Sequence, residues 1–282
     1  MRLIESPSEM REAAEALRLS RAPVGLVPTM GALHEGHRSL IRRAAGECGA
    51  AVVSLFVNPA QFGPGEDFAR YPRSLEADLR MCREEGAVAV YRPSAEAVYP
   101  GCFSTWVEVP ALAEGLCGPH RPGHFRGVAT VVLKLFAACR PHRAYFGEKD
   151  YQQLVLIRRM ERDLDLGVEV VGCPTVREAD GLALSSRNAY LSAEERLRAL
   201  SLIRGLRKAE ALLAEGERAS ARLAQAACGE LDRAGARVDY VEVVHPATLK
   251  PVERVEGEAR IAVAAWIGGT RLIDNIPLRA AP

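Results

Sequence analysis

Two histidines, His34 and His37, lie in a turn between a short apolar run and a helical pattern within residues 24–45. The same turn holds Gly31 and Gly36. A strand, a glycine-containing turn and a helix N-terminus together bind anions, because free backbone N–H groups and the positive end of the helix dipole face the ligand. The imidazoles add neutral donors, or positive charge when they are protonated. This stretch therefore predicts a site for a phosphate chain.

Other interpretations fit the histidine pair less well. A zinc-protease helix carries its histidines at positions i and i+4, whereas here the spacing is three. The chain has neither a Walker loop nor a Gly-x-Gly-x-x-Gly fingerprint. A lone His-x-x-His in a turn is more often a surface feature, so it is the strand-to-helix context that favours a site.

A second turn repeats this design further along the chain. Residues 143–146 are typical of a strand, the turn 147–150 contains Lys149, and a helical pattern covers 151–164. Lys149 would place a point charge against a phosphate. Gln153, one turn into the helix, would face the same crevice.

Polar side chains follow the apolar run 50–57, which is typical of a strand buried on both faces. Residues just past the carboxyl end of a parallel strand face the ligand crevice, so Asn58 and Gln61 are candidate site residues. A polar turn that closes the strand explains them equally well. Loop 115–127 adds four basic residues, of which we expect only a minority to bind a ligand; these are His120, Arg121, His124 and Arg126.

Residues 177–191 lack both helical and strand periodicity, and we expect them to lie outside the core. They contain Ser185, Ser186 and Arg187, which are hydroxyl donors and a fork-shaped cation suited to phosphate. A capping box at 192–195 begins a long helix directly afterwards. This stretch predicts a lid that orders over a polyphosphate.

The order of elements predicts an α/β protein with a doubly wound parallel sheet and a smaller α+β C-terminal domain. A proline near the end of the last sheet strand places the boundary so that the domains are 1–175 and 176–282. The predicted strands are 24–27, 50–57, 87–91, 105–109, 143–146 and 168–171, followed by 238–244 and 260–266 in the second domain. Residues 1–17 are predicted to be an amphipathic helix.

Composition narrows the class of protein. The 282 residues are 48% hydrophobic and 26% charged, with a net charge of +1, which gives no reason to expect a nucleic acid or a membrane as partner. The N-terminus does not resemble a signal peptide and no apolar stretch is long enough to span a bilayer, so we expect a cytoplasmic location. The seven cysteines form no Cys-x-x-Cys pair and are expected to be inert thiols.

Five motifs together resemble the pantothenate synthetase (pantoate–β-alanine ligase) family, of the adenylyl-transferring, HIGH-type Rossmann-like superfamily. They are spread over most of the chain. One departure is Leu184, where methionine is expected. The motifs are PTMGALHEGH (28–37), VNPAQFG (57–63), RPGHFRGV (121–128), FGEKDYQQL (146–154) and LSSRNAYLS (184–192).

The resemblance implies an AMP-forming ligase of pantothenate and coenzyme A biosynthesis. It would join pantoate to β-alanine through pantoyl adenylate, use ATP with Mg²⁺, release AMP and pyrophosphate, and act as a homodimer. The implied catalytic residues are His37 as proton donor, His34 and Lys149. Gln61 and Gln153 would bind pantoate, and Gln61 also β-alanine. The implied ATP-binding residues are Met30, Gly31, Ala32, Leu33, His34, Glu35, Gly36, His37, Gly147, Glu148, Lys149, Asp150, Val176, Leu184, Ser185, Ser186 and Arg187.

Three alternatives remain at this point. A nucleotidyltransferase that joins a nucleotide to a phosphate-bearing acceptor would share the histidine motif but would not need Gln61 and Gln153. A non-catalytic nucleotide sensor would leave the polar segment 177–191 without a purpose. A metal-dependent hydrolase is disfavoured by the histidine spacing.

Overall fold

The computed structural model describes residues 1–280, and the chain divides into two compact units. The sequence predicts one boundary at residue 175, whereas here two short earlier segments also join the second unit. The first unit is Met1–Ala111, Arg121–Glu148 and Leu156–Pro174. The second unit is Leu112–His120, Lys149–Val155 and the described residues from Thr175 on.

The first unit is built on a parallel sheet of six strands in the order β1-β4-β3-β2-β5-β6. The chain winds from β2 to β3 and β4 in one direction and then returns to add β5 and β6 on the other side of β2. The strand order therefore reverses between β2 and β5, and ligands of such sheets bind at the carboxyl ends of the strands at this point. The strands are β1 (Arg2–Ile4), β2 (Val24–Thr29), β3 (Ala50–Leu55), β4 (Ala89–Tyr91), β5 (Arg143–Gly147) and β6 (Glu169–Cys173).

Helices connect these strands and cover the sheet. All six residues of β3 are buried, as expected for a parallel strand covered on both faces. In the second helix, Leu40, Ile41 and Ala44 pack with Val27 and Val53 of the sheet. The helices are α1 (Pro7–Arg21), α2 (Glu35–Glu47), α3 (Leu75–Glu84), α4 (Ala95–Val98), α5 (Pro110–Ala113), α6 (His124–Cys139) and α7 (Tyr151–Asp163).

Two local predictions for this part of the chain are wrong. Residues 105–109 do not form a strand, because the N–H of Val107 donates to the hydroxyl of Thr130 at 3.0 Å and not to a neighbouring strand. The N-terminus does not start as a helix, since β1 pairs with β4 and α1 begins only at Pro7, after the cap residue Ser6. The doubly wound parallel sheet itself is confirmed.

The second unit contains an antiparallel sheet in the order β7-β8-β9 and a group of helices, which confirms the predicted α+β class. Its core is formed by apolar residues of these helices and strands, among them Leu206, Leu223 and Ile261. The long helix predicted from Ser192 is divided at Leu200. The elements are α8 (Ala193–Ala199), α9 (Ser201–Ala214), α10 (Ser220–Arg233), β7 (Arg237–Val244), β8 (Glu258–Ile267) and β9 (Thr270–Arg279).

Three general features concern the described residues as a whole. None of their helices combines the length and the apolar character needed to cross a bilayer. All seven cysteines are free thiols. Within residues 1–280 no three or more His, Cys, Asp or Glu side chains come together in a group that could hold a metal ion.

Candidate active site

The turn after β2 has an unusual backbone that side chains hold in place. Gly31 and Ala32 are both left-handed, with φ of 85° and 50°, and for an alanine this conformation costs about 1–2 kcal/mol. The hydroxyl of Thr29 accepts the Gly31 N–H at 3.2 Å. The Asp78 carboxylate accepts the N–H groups of Ala32 at 3.0 Å and Leu33 at 2.8 Å. Backbone strain that neighbouring groups maintain is typical of functional sites.

His34 and His37 cap the start of α2, which lies at the carboxyl end of β2. His34 is the N-cap residue, and its Nδ1 accepts the N–H of Gly36 at 3.2 Å. His37 Nδ1 accepts the N–H of His34 at 3.3 Å, and the two ring centroids are 4.1 Å apart. A neutral imidazole whose Nδ1 is an acceptor carries its proton on Nε2. Both rings are therefore fixed as Nε2–H donors.

This arrangement corrects one expectation from the sequence. The pattern predicts that the backbone N–H groups of the turn are free for an anion, but five of them donate to side chains of the first unit. These five N–H groups are consequently not free for an anion. The five N–H groups are those of Gly31, Ala32, Leu33, His34 and Gly36.

Gln61 lies in a 3₁₀ turn after β3, and the side chain of Asn58 organises that turn. Asn58 is 1% exposed and donates to the Gln61 Oε1 and to the Gly127 carbonyl, each at 3.1 Å. Gln61 Nε2 reaches the Met30 sulfur at 2.9 Å, so the structure brings Gln61 next to the histidine turn. Asn58 accepts the Tyr99 hydroxyl at 2.8 Å. Asn58 thus positions the Gln61 amide.

The loop before α6 holds the Gln61 backbone. His124 Nδ1 is 2.8 Å from the Gln61 carbonyl, and Arg121 bonds both His124 Nε2 and the Glu66 carboxylate. Burial tends to raise the pKa of Glu66, but the hydrogen bonds and charge of Arg121 outweigh it and the pKa is lowered. Gly127 allows α6 to approach, since a Cβ there would lie 2.2 Å from the Ala60 carbonyl oxygen.

In the second unit, the predicted residues Lys149 and Gln153 lie at the start of α7. A 3₁₀ turn, Glu148–Asp150, directly precedes the helix, and Asn275 Nδ2 donates to the Lys149 carbonyl at 2.8 Å. The neighbouring Gln152 is buried and bonds backbone groups of residues 112–117, including the Cys117 N–H at 3.0 Å. Gln153, the next residue in the sequence, is half-buried.

The segment 177–191 is anchored more firmly than the sequence indicates. Leu182 and Ala183 are buried, which contradicts the expectation that this stretch lies outside the core. Arg177 forms a two-pronged ion pair with Asp274, at 2.6 and 2.9 Å. The predicted phosphate-binding residues fall at its far end, where Ser185 caps a 3₁₀ helix, Ser186–Tyr190. The Leu184 N–H donates to the carbonyl of Val176 at 3.0 Å.

Three residues that hold segments of the candidate site in place were not predicted from the sequence. They are Thr29, Asp78 and Asp274. Asp78 could have been found, because a carboxylate four residues before Cys82 and three after Leu75 stands on the apolar face of α3. Thr29 is an ordinary strand residue in the sequence and gives no such signal. Asp274 lies in β9, which was not predicted, although the Gly-Gly pair 268–269 before it is a hairpin signal.

A parallel sheet whose strand order reverses beside the start of a helix is a doubly wound, Rossmann-like fold of the kind that binds nucleotides. The chain belongs to the pantoate-β-alanine ligase family, whose sequence model matches residues 2–277.

Individual relatives support the family over the full length of the chain. A pantothenate synthetase of Thermotoga neapolitana is 52% identical over 276 residues, which cover 98% of this chain and 99% of the relative. The crystal structure of pantothenate synthetase from Thermus thermophilus is 49% identical, with a TM-score of 0.93 and coverage of 98% and 99%. The pantoate-β-alanine ligase of Francisella tularensis, solved in complex with β-γ ATP and β-alanine, is 34% identical, with a TM-score of 0.82 and coverage of 98% and 97%.

Proposed function

We propose that this protein condenses pantoate with β-alanine at the expense of ATP, through a pantoyl-adenylate intermediate. The pantoate carboxylate attacks the α-phosphorus of ATP and pyrophosphate leaves. The β-alanine amine then attacks the acyl carbon, an amide bond forms, and AMP departs. The observation that carries the proposal is the pair of histidines, fixed as Nε2–H donors at the sheet's switch point in a chain that matches this family over 2–277.

The chemistry requires stabilisation of charge at phosphorus. Attack on the α-phosphorus builds negative charge on its oxygens, and donors already in position stabilise that charge without reorganising. His34 and His37 meet this need, with His37 as the proton donor to the leaving pyrophosphate. Lys149 adds a positive charge. Ser185 and Arg187 supply a hydroxyl and a planar cation for the remaining phosphate oxygens.

Substrate binding is assigned to the two glutamines. Pantoate carries hydroxyl groups that need neutral partners, and an amide offers both a donor and an acceptor. Gln61 is already oriented by Asn58 and lies beside Met30, so its amide is presented in a fixed direction. Gln153 is the second partner, and Gln61 also contacts β-alanine.

Magnesium is proposed to arrive with the nucleotide. No group of three or more candidate ligand side chains occurs within the described part of the chain. Mg²⁺ retains several waters and is commonly bound through substrate phosphates with one or two carboxylates. A Mg²⁺ ion carried by ATP would neutralise part of the phosphate charge.

We also propose a homodimer in the cytoplasm. The seven free thiols suit a reducing compartment. Size-exclusion chromatography with light scattering tests the assembly, and a monomer at working concentration would refute it.

Product analysis tests the reaction itself. Pantoate, β-alanine and ATP should yield AMP and pyrophosphate in equal amounts, and ATP–pyrophosphate exchange should need pantoate but no amine. A panel of other carboxylic acids should fail to support exchange. Formation of ADP and phosphate would rule out the adenylate route, whereas exchange that requires no carboxylic acid would favour a nucleotidyltransferase.

A further inference from the structure

Two neighbouring residues of β9, Asp274 and Asn275, are buried polar side chains, 3% and 5% exposed. Successive side chains of a strand point to opposite faces, so the two residues reach different segments of the second unit. Both of those segments contain residues assigned above to ATP phosphates.

Asn275 holds the Lys149 turn. Its Nδ2 donates to the Lys149 carbonyl at 2.8 Å, and its Oδ1 accepts from Arg260 at 2.5 Å. Arg260 is itself buried, with its guanidinium 3.6 Å from the centre of the Tyr151 ring. Because a guanidinium can only donate, it fixes which end of the amide faces it, and the NH₂ group must face Lys149.

Asp274 holds the segment that leads to Ser185, Ser186 and Arg187. Both carboxylate oxygens bond Arg177, and the N–H of Asn275 donates to one of them at 2.8 Å. Arg177 in turn donates to the Gly181 carbonyl at 3.1 Å. This bond joins the two ends of the short loop 177–181, which precedes Leu184 in the sequence. A paired carboxylate and guanidinium with little exposure form a strong, directional link.

We propose that Asp274 and Asn275 are positioning residues that set the spacing between the Lys149 turn and the segment carrying Ser185–Arg187. One rigid strand then determines where the ammonium and the guanidinium meet the polyphosphate. The inference rests on the proposed roles of Lys149 and Arg187. Neither β9 residue needs to touch the substrate, so its effect on the reaction passes entirely through the segment that it holds.

A double-mutant cycle separates this role from a purely structural one. Asn275→Asp keeps the acceptor for Arg260 but replaces the donor to the Lys149 carbonyl with a second acceptor. A small misplacement of a reacting group costs up to about 100-fold, so pyrophosphate exchange should fall about 10–100-fold. In the Lys149→Ala background the same change should cost less than about threefold, because the group that it positions is gone.

A matched control makes the same isosteric type of change elsewhere in the second unit. Asp239 in β7 accepts from Arg271 at 2.7 Å and from Trp266 at 3.1 Å, and neither partner is a site residue. Asp239→Asn should lower the melting temperature while leaving exchange unchanged. Asp274→Asn should raise the KM for ATP, and this effect should vanish in the Arg187→Ala background.

The outcomes are distinct. Coupling of Asn275→Asp to Lys149→Ala supports the proposal, and additive losses overturn it. If Lys149→Ala alone leaves exchange intact, the assignment of Lys149 is refuted and the positioning role goes with it, while the product analysis still tests the reaction. Should Asn275→Asp prevent folding, Asn275→Ser removes the amide donor without adding charge and enters the same cycle.

Discussion

At the residue scale, each histidine ring has two nitrogens, and the hydrogen bond that one of them accepts determines that the other carries the proton. The Nδ1 atoms of His34 and His37 accept backbone N–H groups at the start of α2, so in the neutral rings the proton is on Nε2. His142 makes the same kind of bond, since its Nδ1 accepts the Val24 N–H at 2.9 Å. This bond lies at the amino end of β2, whereas α2 starts beyond the carboxyl end of that strand. These histidines therefore share the Nδ1 bond but lie at opposite ends of the strands.

This comparison leads to a prediction with a built-in control. His37→Ala should slow adenylation by about 10²–10³-fold, roughly 3–4 kcal/mol of transition-state stabilisation, by analogy with the loss of one oxyanion donor. His142→Ala removes an equivalent backbone contact and should change stability only. Single-turnover formation of pantoyl adenylate gives the rate, and equal rates in the two variants would place the chemistry elsewhere.

The glutamine pair carries a second residue-scale prediction. Gln153→Leu should weaken pantoate binding by about 1–3 kcal/mol, because a hydroxyl would be buried without a partner. The affinity for ATP should not change. The KM values for pantoate and for its deoxy analogue test this, with Gln225→Leu on the exposed face of α10 as control. An unchanged preference for pantoate over the deoxy analogue would remove Gln153 from the site.

At the element scale, the sequence predicts best what local pattern determines. Continuous apolar runs located β2 and β3, the strand-like residues 143–146 located β5, and the two glycine-containing turns located the candidate site. The prediction failed where distant partners decide the structure. Residues 105–109 have strand composition but bond Thr130, which is 23 positions from Val107. The anchors of segment 177–191 could not be seen either, since Asp274 lies 97 positions from Arg177.

The structure therefore divides the predicted lid into two parts. The amides of Glu178 and Leu184 should exchange slowly without ligand, because the Glu178 N–H donates to the Leu182 carbonyl and the Leu184 N–H donates to the Val176 carbonyl. Exchange at residues 185–190 should slow markedly when ATP and Mg²⁺ are added, as the polyphosphate supplies new contacts. Hydrogen exchange read by mass spectrometry, with β3 as reference, distinguishes the parts.

Arg187→Ala should abolish the nucleotide-dependent protection of 185–190 and leave the anchored part unchanged. If 185–190 were already strongly protected in the apo protein, the segment would be a fixed wall and the closing step would be lost from the mechanism.

At the scale of the whole molecule, each unit has a carboxylate that holds one of its own loops in place. Glu66 holds Arg121 in the first unit. Glu178 holds Arg196 and Asn188 in the second unit. The Arg196 hydrogen bond, with a smaller contribution from Asn188, keeps the pKa of Glu178 below its ordinary value of 4.5 in spite of partial burial. The pKa of Glu66 is lowered as well.

A lowered folded-state pKa means that the unfolded chain binds the proton first as the pH falls. The stability that both groups contribute is thus complete above about pH 4.5 and is lost as the pH drops through their folded-state pKa values.

Glu66→Gln and Glu178→Gln should each lower stability at pH 7 and flatten its decline between about pH 5 and 3. Urea unfolding across this range measures the slope, with Glu12→Gln on the exposed face of α1 as control. Each glutamate holds a loop within one unit. The loss of stability in either variant should therefore appear first as faster hydrogen exchange in the loop that the glutamate holds. A decline as steep as that of the unmodified protein in both variants would show that other carboxylates govern the acid transition.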